Sequence, residues 1–281
     1  MSKKHGRARW IVPLSLASCL LLFAGALVFF LSRSPRFVLF SPGCVVVNAQ
    51  SGRVLYEKEP GARREPASMT KLAALYLFFD ALKDGRLQKD ELVPVSENAA
   101  LVPASRAGLR AGEAQTVDTL LSCIWIASGS DAVIALGERL YGDEQALLEA
   151  MNGKMSDLGL RDTVFVNCVG LSQEGHFSTA ADIARLSCAL IEEHPEVLLY
   201  SSRQAGVLTH ADGEQKNLYS TNKLLGRFGV DGLKTGHTEA AGYCQSITYS
   251  AGARRYVIVL MGARSDAERG EDAETLMAAF R

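Results

Sequence analysis

A serine and a lysine three residues apart, Ser68 and Lys71, are the first pair in this chain that could do chemistry together. The stretch Pro66-Ala67-Ser68-Met69-Thr70-Lys71 reads as the opening of a helix, with Ser68 in its first turn. That spacing puts both side chains on one helix face. A serine hydroxyl is a poor nucleophile at neutral pH and needs a base within hydrogen-bond reach. A lysine serves as that base when burial or a second cation makes its ammonium lose a proton easily. The bland alternative is a capping serine with a solvated lysine, and Ser-x-x-Lys alone does not separate the two. A second group, Ser128-Gly129-Ser130-Asp131, is a small-residue loop between two apolar stretches. By itself it is an interhelical turn in which Ser130 or Asp131 caps the next helix. A third group is Lys234-Thr235-Gly236-His237-Thr238. It reads as a strand ending at a glycine that something approaches closely. Its lysine and threonine could hold a carboxylate. The alternative is an edge strand guarded by a lysine.

The surrounding elements decide whether these groups can meet. Strand patterns lie at both ends of the chain. Residues 44–48 form an apolar run, Gln50-Ser51-Gly52 a turn, and residues 53–56 the return strand. Residues 232–236, 242–250 and 255–262 are three further strands, with Gly252 at the turn between the last two. A helix over 266–280 closes the chain. Helical patterns fill the middle, over 68–83, 116–127, 131–141, 145–158 and 179–192. Thr179-Ala180-Ala181-Asp182 resembles a capping box with Asp in place of Glu. The expected architecture is α/β (α+β): one antiparallel sheet of N- and C-terminal strands covered by helices, with a mostly helical insertion over about 85–215. A site belongs in the cleft between sheet edge and insertion.

Composition narrows the partners. The formal net charge is -1, and no basic tract beyond the N-terminus suggests nucleic acid. The six cysteines carry no C-x-x-C pair and no Cys/His ligand spacing, so no metal or other cofactor is expected. Cys123 and Cys188 sit in apolar helical stretches as small hydrophobes. Residues 11–31 are an uncharged apolar run behind Lys3, Lys4, Arg7 and Arg9. About 20 apolar residues span a bilayer as a helix. The basic flank keeps the N-terminus cytoplasmic and exports the rest. A retained anchor, a signal peptide cleaved near Ala24-Gly25-Ala26, and a lipoprotein box at Leu16-Ala17-Ser18-Cys19 all agree on export. The apolar continuation after Ala26 and Cys19 favours the anchor.

The order of the three groups, Ser-x-x-Lys, Ser-x-x and Lys-Thr-Gly with helices between, resembles the motif set of penicillin-binding proteins and serine β-lactamases. More closely, the chain resembles the D-alanyl-D-alanine carboxypeptidases among the low-molecular-weight penicillin-binding proteins. The likeness extends to Ala241-Gly242-Tyr243, Met151-Asn152, Leu158-Gly159-Leu160, Asn167 with Gly170-Leu171, and His176 with Ser178-Thr179-Ala180. It implies a β-lactamase/transpeptidase-like fold with a five-stranded antiparallel sheet. It also implies a serine-type D-Ala-D-Ala carboxypeptidase that removes the terminal D-alanine from peptidoglycan stem peptides. Ser68 would be the nucleophile and Lys71 its base. Ser128 would relay a proton to the leaving D-alanine with Lys234. Lys234 and Thr235 would face the substrate carboxylate. Ser130, Gly236, His237 and Thr238 would line the substrate, and the N–H groups of Ser68 and His237 would form an oxyanion hole. β-Lactams would acylate the same serine. Hydropathy and charge mark off a cytoplasmic flank (1–10), an anchor or signal segment (11–31) and a linker (32–43), and the resemblance covers a catalytic domain (44–281). The N-terminal segment and its basic flank place that domain outside a bacterial membrane, or free if the segment is cut. The chain departs from the pattern at Ser130, where the second motif normally ends in Asn, whose amide bridges the lysine and the substrate carbonyl. Alternatives on the same fold are a β-lactamase or DD-endopeptidase. A different class of alternative is a catalytically weakened peptidoglycan-binding homologue. His176 is expected to be structural, and Asp131 to cap its helix.

Overall fold

Three consecutive valines, Val45 to Val47, form the heart of a strand with both faces covered, an inner strand of the main sheet. The computed structural model describes residues 37–281. The expected segment over 11–31 lies outside the described residues. Among the described residues no helix is long and apolar enough to cross a membrane.

Strand β1 (Gly43–Asn48) turns back into β2 (Val54–Lys58). At the turn Asn48 Oδ1 accepts from Ser51 N at 2.9 Å. A 3₁₀ turn (Ala67–Thr70) then leads into helix α1 (Lys71–Lys83). The helix is apolar on nearly every face, and such a helix is stable only when surrounded. Leu72, Ala73, Leu75, Tyr76, Phe78 and Phe79 are all fully buried. The chain continues through β3 (Leu92–Pro94), α2 (Glu97–Leu101), β4 (Ala114–Thr116), α3 (Val117–Ala127), α4 (Ser130–Tyr141) and α5 (Glu144–Asp157). Then follow α6 (Ala180–Glu193), α7 (Val197–Ser201), β5 (Ala205–Thr209) and β6 (Gln215–Tyr219). Strands β7 (Val230–Thr238), β8 (Gly242–Ala251) and β9 (Arg254–Ala263) and helix α8 (Asp266–Ala279) complete it.

The main sheet is five-stranded and antiparallel, in the order β2-β1-β9-β8-β7. The N-terminal hairpin therefore joins a C-terminal meander through the β1–β9 pair, and β7 is left as an edge. Helix α6 packs against β9 and β1, and α8 against β9 and β8.

Two features differ from the sequence expectation. The expected mostly helical insertion over about 85–215 also carries, with its C-terminal continuation, strands that the sequence did not announce. They pair as two small hairpins, β3–β4 and β5–β6. Their strands are short, and β5 and β6 each bury one residue, Leu208 and Leu218, so no apolar alternation marks them. The capping box at α6 is half formed. Thr179 accepts from Asp182 N at 3.1 Å, but the Asp182 carboxylate turns to Asp162 N and Thr163 Oγ1. An Asp is one methylene shorter than the Glu that normally reaches back to the cap. The cysteines of the described residues are free thiols. Cys123 is fully buried, as expected, and Cys188 is half-buried.

Candidate active site

Ser68 lies in the 3₁₀ turn, at the bottom of a cleft of about 640 Å³ between β7 and the helical part. Two glycines from distant segments press on the backbone of that turn. A Cβ on Gly236 of β7 would lie 2.8 Å from Pro66 O and 3.0 Å from Ser68 N. Gly236 is thus the close-approach glycine expected, although β7 does not end there but continues to Thr238. A Cβ on Gly170 would lie 2.0 Å from Ala67 O, and this residue also holds a φ of +87°. Ala67 itself takes a positive φ of 48°.

The Lys71 ammonium is carried into the core as the first residue of the buried α1, and its side chain is 0% exposed. Its Nζ lies 2.7 Å from Ser68 Oγ and 3.3 Å from Ser128 Oγ. Ser128 stands at the elbow where α3 ends and α4 begins, in a left-handed conformation with φ 56°. The elbow is tight because Gly129 has no side chain. A Cβ there would come within 2.9 Å of Asp131 Oδ1 and 3.2 Å of Ala107 Cβ. Lys234 enters from β7, is 1% exposed, and donates to Thr235 O at 3.0 Å. Thr235 Oγ1 pairs with Thr221 Oγ1 at 2.6 Å, and both residues line the cleft.

Burial drives the Lys71 amine well below the ordinary lysine range, the charge of Lys234 pushes it the same way, and Asp131 opposes them. Burial and the nearby Arg269 push Lys234 down to about 7. A hydroxyl at 2.7 Å from an amine that readily sheds its proton is an activated nucleophile in geometry and in charge.

The structure brings Ser68, Lys71, Ser128, Lys234, Thr235, Gly236, His237 and Thr238 to the same cleft, the two lysines behind its wall and the others along it. The His237 ring is exposed and packs on Tyr243, with centroids 4.0 Å apart. Thr238 Oγ1 pairs with Ser172 Oγ at 2.8 Å and accepts from Ala241 N at 3.0 Å, which closes the turn after β7. Ser130 is not brought to the cleft wall. It is fully buried in the first turn of α4, and its hydroxyl has no partner. Asp131 takes up a free N–H of the first turn of α4, as expected, accepting from Ala132 N at 3.0 Å, and it also reaches outside the helix. Its carboxylate accepts from the backbone N–H groups of Ala107, Gly108 and Leu109 and clamps that loop onto the helix. His176 has the structural place expected of it. Its Nδ1 accepts from Val166 N at 3.1 Å, which leaves Nε2 as the donor to Thr70 Oγ1 at 2.8 Å.

Sequence reasoning missed two residues here. Ser105 lines the cleft from the loop that Asp131 clamps, with its Oγ 3.3 Å from Lys71 Nζ. Arg269 reaches the cleft from α8, where it bonds Cys244 O and Asp266, and its Nε is buried without a partner. Neither carries a local signal. Ser105 sits in an aperiodic loop, and Arg269 looks like one more surface charge in a polar helix.

The five-stranded antiparallel sheet and the helices packed on it are those of the β-lactamase/transpeptidase-like class. Within that class, the chain belongs to the D-alanyl-D-alanine carboxypeptidase family, whose sequence profile matches residues 38–265. It is 36% identical over 244 residues to the D-alanyl-D-alanine carboxypeptidase DacF of Bacillus subtilis (strain 168), covering 84% of this chain and 61% of that protein. The chain spans about three fifths of the length of the curated relatives it matches first. Among solved structures it is similar to the D-alanyl-D-alanine carboxypeptidase DacD from Francisella tularensis. That match has a TM-score of 0.82 at 28% identity over 88% of this chain and 71% of the other. It is also similar to penicillin-binding protein D2 from Listeria monocytogenes in its ampicillin-bound form. There the TM-score is 0.73 at 32% identity over 87% of this chain and 98% of the other.

Proposed function

We propose that this chain is a serine-type D-Ala-D-Ala carboxypeptidase that removes the terminal D-alanine from peptidoglycan stem peptides through an acyl-enzyme on Ser68. The observation that carries the reading is the 2.7 Å contact between Ser68 Oγ and a fully buried Lys71 amine that a second lysine helps to deprotonate. Lys71 takes the Ser68 proton as Oγ attacks the penultimate D-alanine carbonyl. Ser128, within 3.3 Å of Lys71 Nζ, hands a proton to the departing D-alanine nitrogen. Lys234 and Thr235 receive the terminal carboxylate. The oxyanion is received by the N–H groups of Ser68 and His237. The Thr235 carbonyl accepts from Lys234 Nζ on the open side of edge strand β7, and the two-residue period of a strand turns His237 N–H the same way. Removing one such donor typically lowers kcat about 100- to 1000-fold. Water then releases the shortened peptide.

β-Lactams acylate the same serine in this reading, which is supported by the similarity to a penicillin-binding protein solved with ampicillin bound. The domain acts outside the cytoplasmic membrane, with residues 11–31 as its anchor and residues 44–281 as its catalytic part.

The test is D-alanine release from a diacyl-Lys-D-Ala-D-Ala peptide by the full chain, together with covalent labelling by a fluorescent penicillin. Wild-type protein releases D-alanine and gives a labelled band. Ser68→Ala loses both. Turnover of penicillin without D-alanine release would instead make the protein a β-lactamase, and no labelling would end the acyl-enzyme reading.

A further inference from the structure

Lys71 Nζ has three hydroxyl neighbours, but the proposed reaction uses two of them. The third is Ser105 Oγ, at 3.3 Å. Its own hydrogen is already committed, because Ser105 Oγ donates to Ser128 O at 2.7 Å. Toward Lys71 it can therefore only accept.

The consequence is a matter of counting hydrogens. A neutral primary amine has two N–H groups and one lone pair. One N–H is drawn to the obligate acceptor Ser105, and the second reaches Ser128 Oγ at 3.3 Å. The lone pair is then left for the closest neighbour, Ser68 Oγ at 2.7 Å. Without Ser105, the amine is free to turn an N–H toward Ser68, and an amine so turned cannot accept the proton.

The loop that brings Ser105 is anchored on both sides. Ser130 N donates to Ser105 O at 2.7 Å, and Asp131 holds the amides of Ala107, Gly108 and Leu109. The elbow that presents Ser128 therefore also presents Ser105. This arrangement leaves the Ser130 hydroxyl unpartnered and out of the network.

We propose that Ser105 is a positioning residue of the reaction: through its one acceptor contact to Lys71 it aims the amine lone pair at Ser68. The proposal rests on the acyl-transfer reading above. In the step itself the Ser68 proton moves to Nζ as the Oγ–carbon bond forms. The resulting ammonium donates to Ser68, Ser105 and Ser128. Ser128 passes its own proton to the leaving nitrogen as the carbon–nitrogen bond breaks and takes one back from Nζ. Ser105 gains and loses nothing.

The same contact has a signature in pH. Accepting from Nζ favours the ammonium over the amine. The other groups facing Lys71 are the Ser68 and Ser128 hydroxyls and the charges of Lys234 and Asp131. Removing Ser105 Oγ therefore lowers the proton affinity of Lys71. The acid limb of acylation moves to lower pH while the plateau rate falls.

The experiment measures acylation of the full chain by a fluorescent penicillin as a function of pH, with thermal unfolding alongside. Ser105→Ala is expected to lower the plateau second-order rate about 10-fold. It is also expected to move the acid limb down by about half a pH unit. Ser105→Thr, which keeps the hydroxyl, restores both. A plateau within about twofold of wild type overturns the proposal, because one lost hydrogen bond that matters changes a rate by more than that. So does a fall in rate with the acid limb unmoved, which marks a loop that has only lost structure. Should the alanine variant not fold, Ser105→Cys offers a poor acceptor of nearly the same shape, and wild-type rates there overturn the proposal equally. Wild-type protein that neither labels nor releases D-alanine refutes the acyl-transfer reading and this proposal with it. Labelled wild type with indifferent Ser105 variants refutes this proposal alone.

Discussion

Two ammonium groups, those of Lys71 and Lys234, lie within a few per cent of complete burial. Burying a cation carries a steep desolvation cost that folding does not need to incur. What that cost achieves locally is a change of protonation. Lys71 falls well below the ordinary lysine value and Lys234 to about 7, so one can act as a base and the other can still carry charge. The residue types were legible beforehand, since a lysine one turn from a serine suggests a base for a nucleophile. The burial was not, because nothing at Lys71 itself says that every face of its helix is covered. Ser130 stands where the motif pattern of the sequence led to an Asn being expected, and its hydroxyl is buried without a partner. Ser130→Asn restores a side chain long enough to reach toward Lys71 and a substrate carbonyl. It is expected to raise the rate of penicillin acylation about threefold or more. Stopped-flow or gel labelling would show this, and no gain or a loss discards the idea.

At the scale of elements, the site depends on contacts with no room for a side chain. The serine turn is pinned between β7 and the 167–171 loop by Gly236 and Gly170. Gly170→Ala drives a Cβ to 2.0 Å from Ala67 O at a φ of +87°. The obstacle is backbone on backbone, which no rotamer change relieves. Stability should fall by about 2 kcal/mol or more, and penicillin labelling should fall with it. Gly153 supplies the opposite case. It is exposed within α5, and an added Cβ meets nothing within 4 Å. Gly153→Ala should stabilise by about 0.5–1 kcal/mol and leave labelling unchanged. Chemical denaturation of the two variants, with opposite signs, checks the argument. Gly236 announced itself as a glycine in a strand pattern close to a lysine. Gly170 did not declare which backbone it meets, because Ala67 lies far away along the chain. The hairpins β3–β4 and β5–β6 were missed for a related reason. Their pairing depends on packing against the helices, not on any alternation of their own.

For the whole molecule, one buried group that titrates in an accessible range is His176, which ties the 164–177 loop to the serine turn through Thr70. Burial lowers its proton affinity from the ordinary 6.5 to about 4. The folded state therefore binds the proton less well than the unfolded chain does. Stability is fully present above about pH 6.5 and is lost as pH falls toward about 4, by at most about 3 kcal/mol. Thermal unfolding between pH 7.5 and 4.5 should show that loss, and His176→Gln should show a smaller one. An equal slope in both proteins would place the acid sensitivity elsewhere. Much of the molecule was determined by the sequence acting locally. The valine run, the glycine turns and the helical periodicity specify strands at both ends and helices between. The three polar groups announce a nucleophile, its base and a carboxylate holder. Only the tertiary structure decided that β1 pairs with β9, that the resulting edge strand slides against the serine turn, and that Ser105 and Arg269 face the cleft. Those outcomes depend on surfaces that meet across distant parts of the chain, and no short window of residues contains both sides of such a contact.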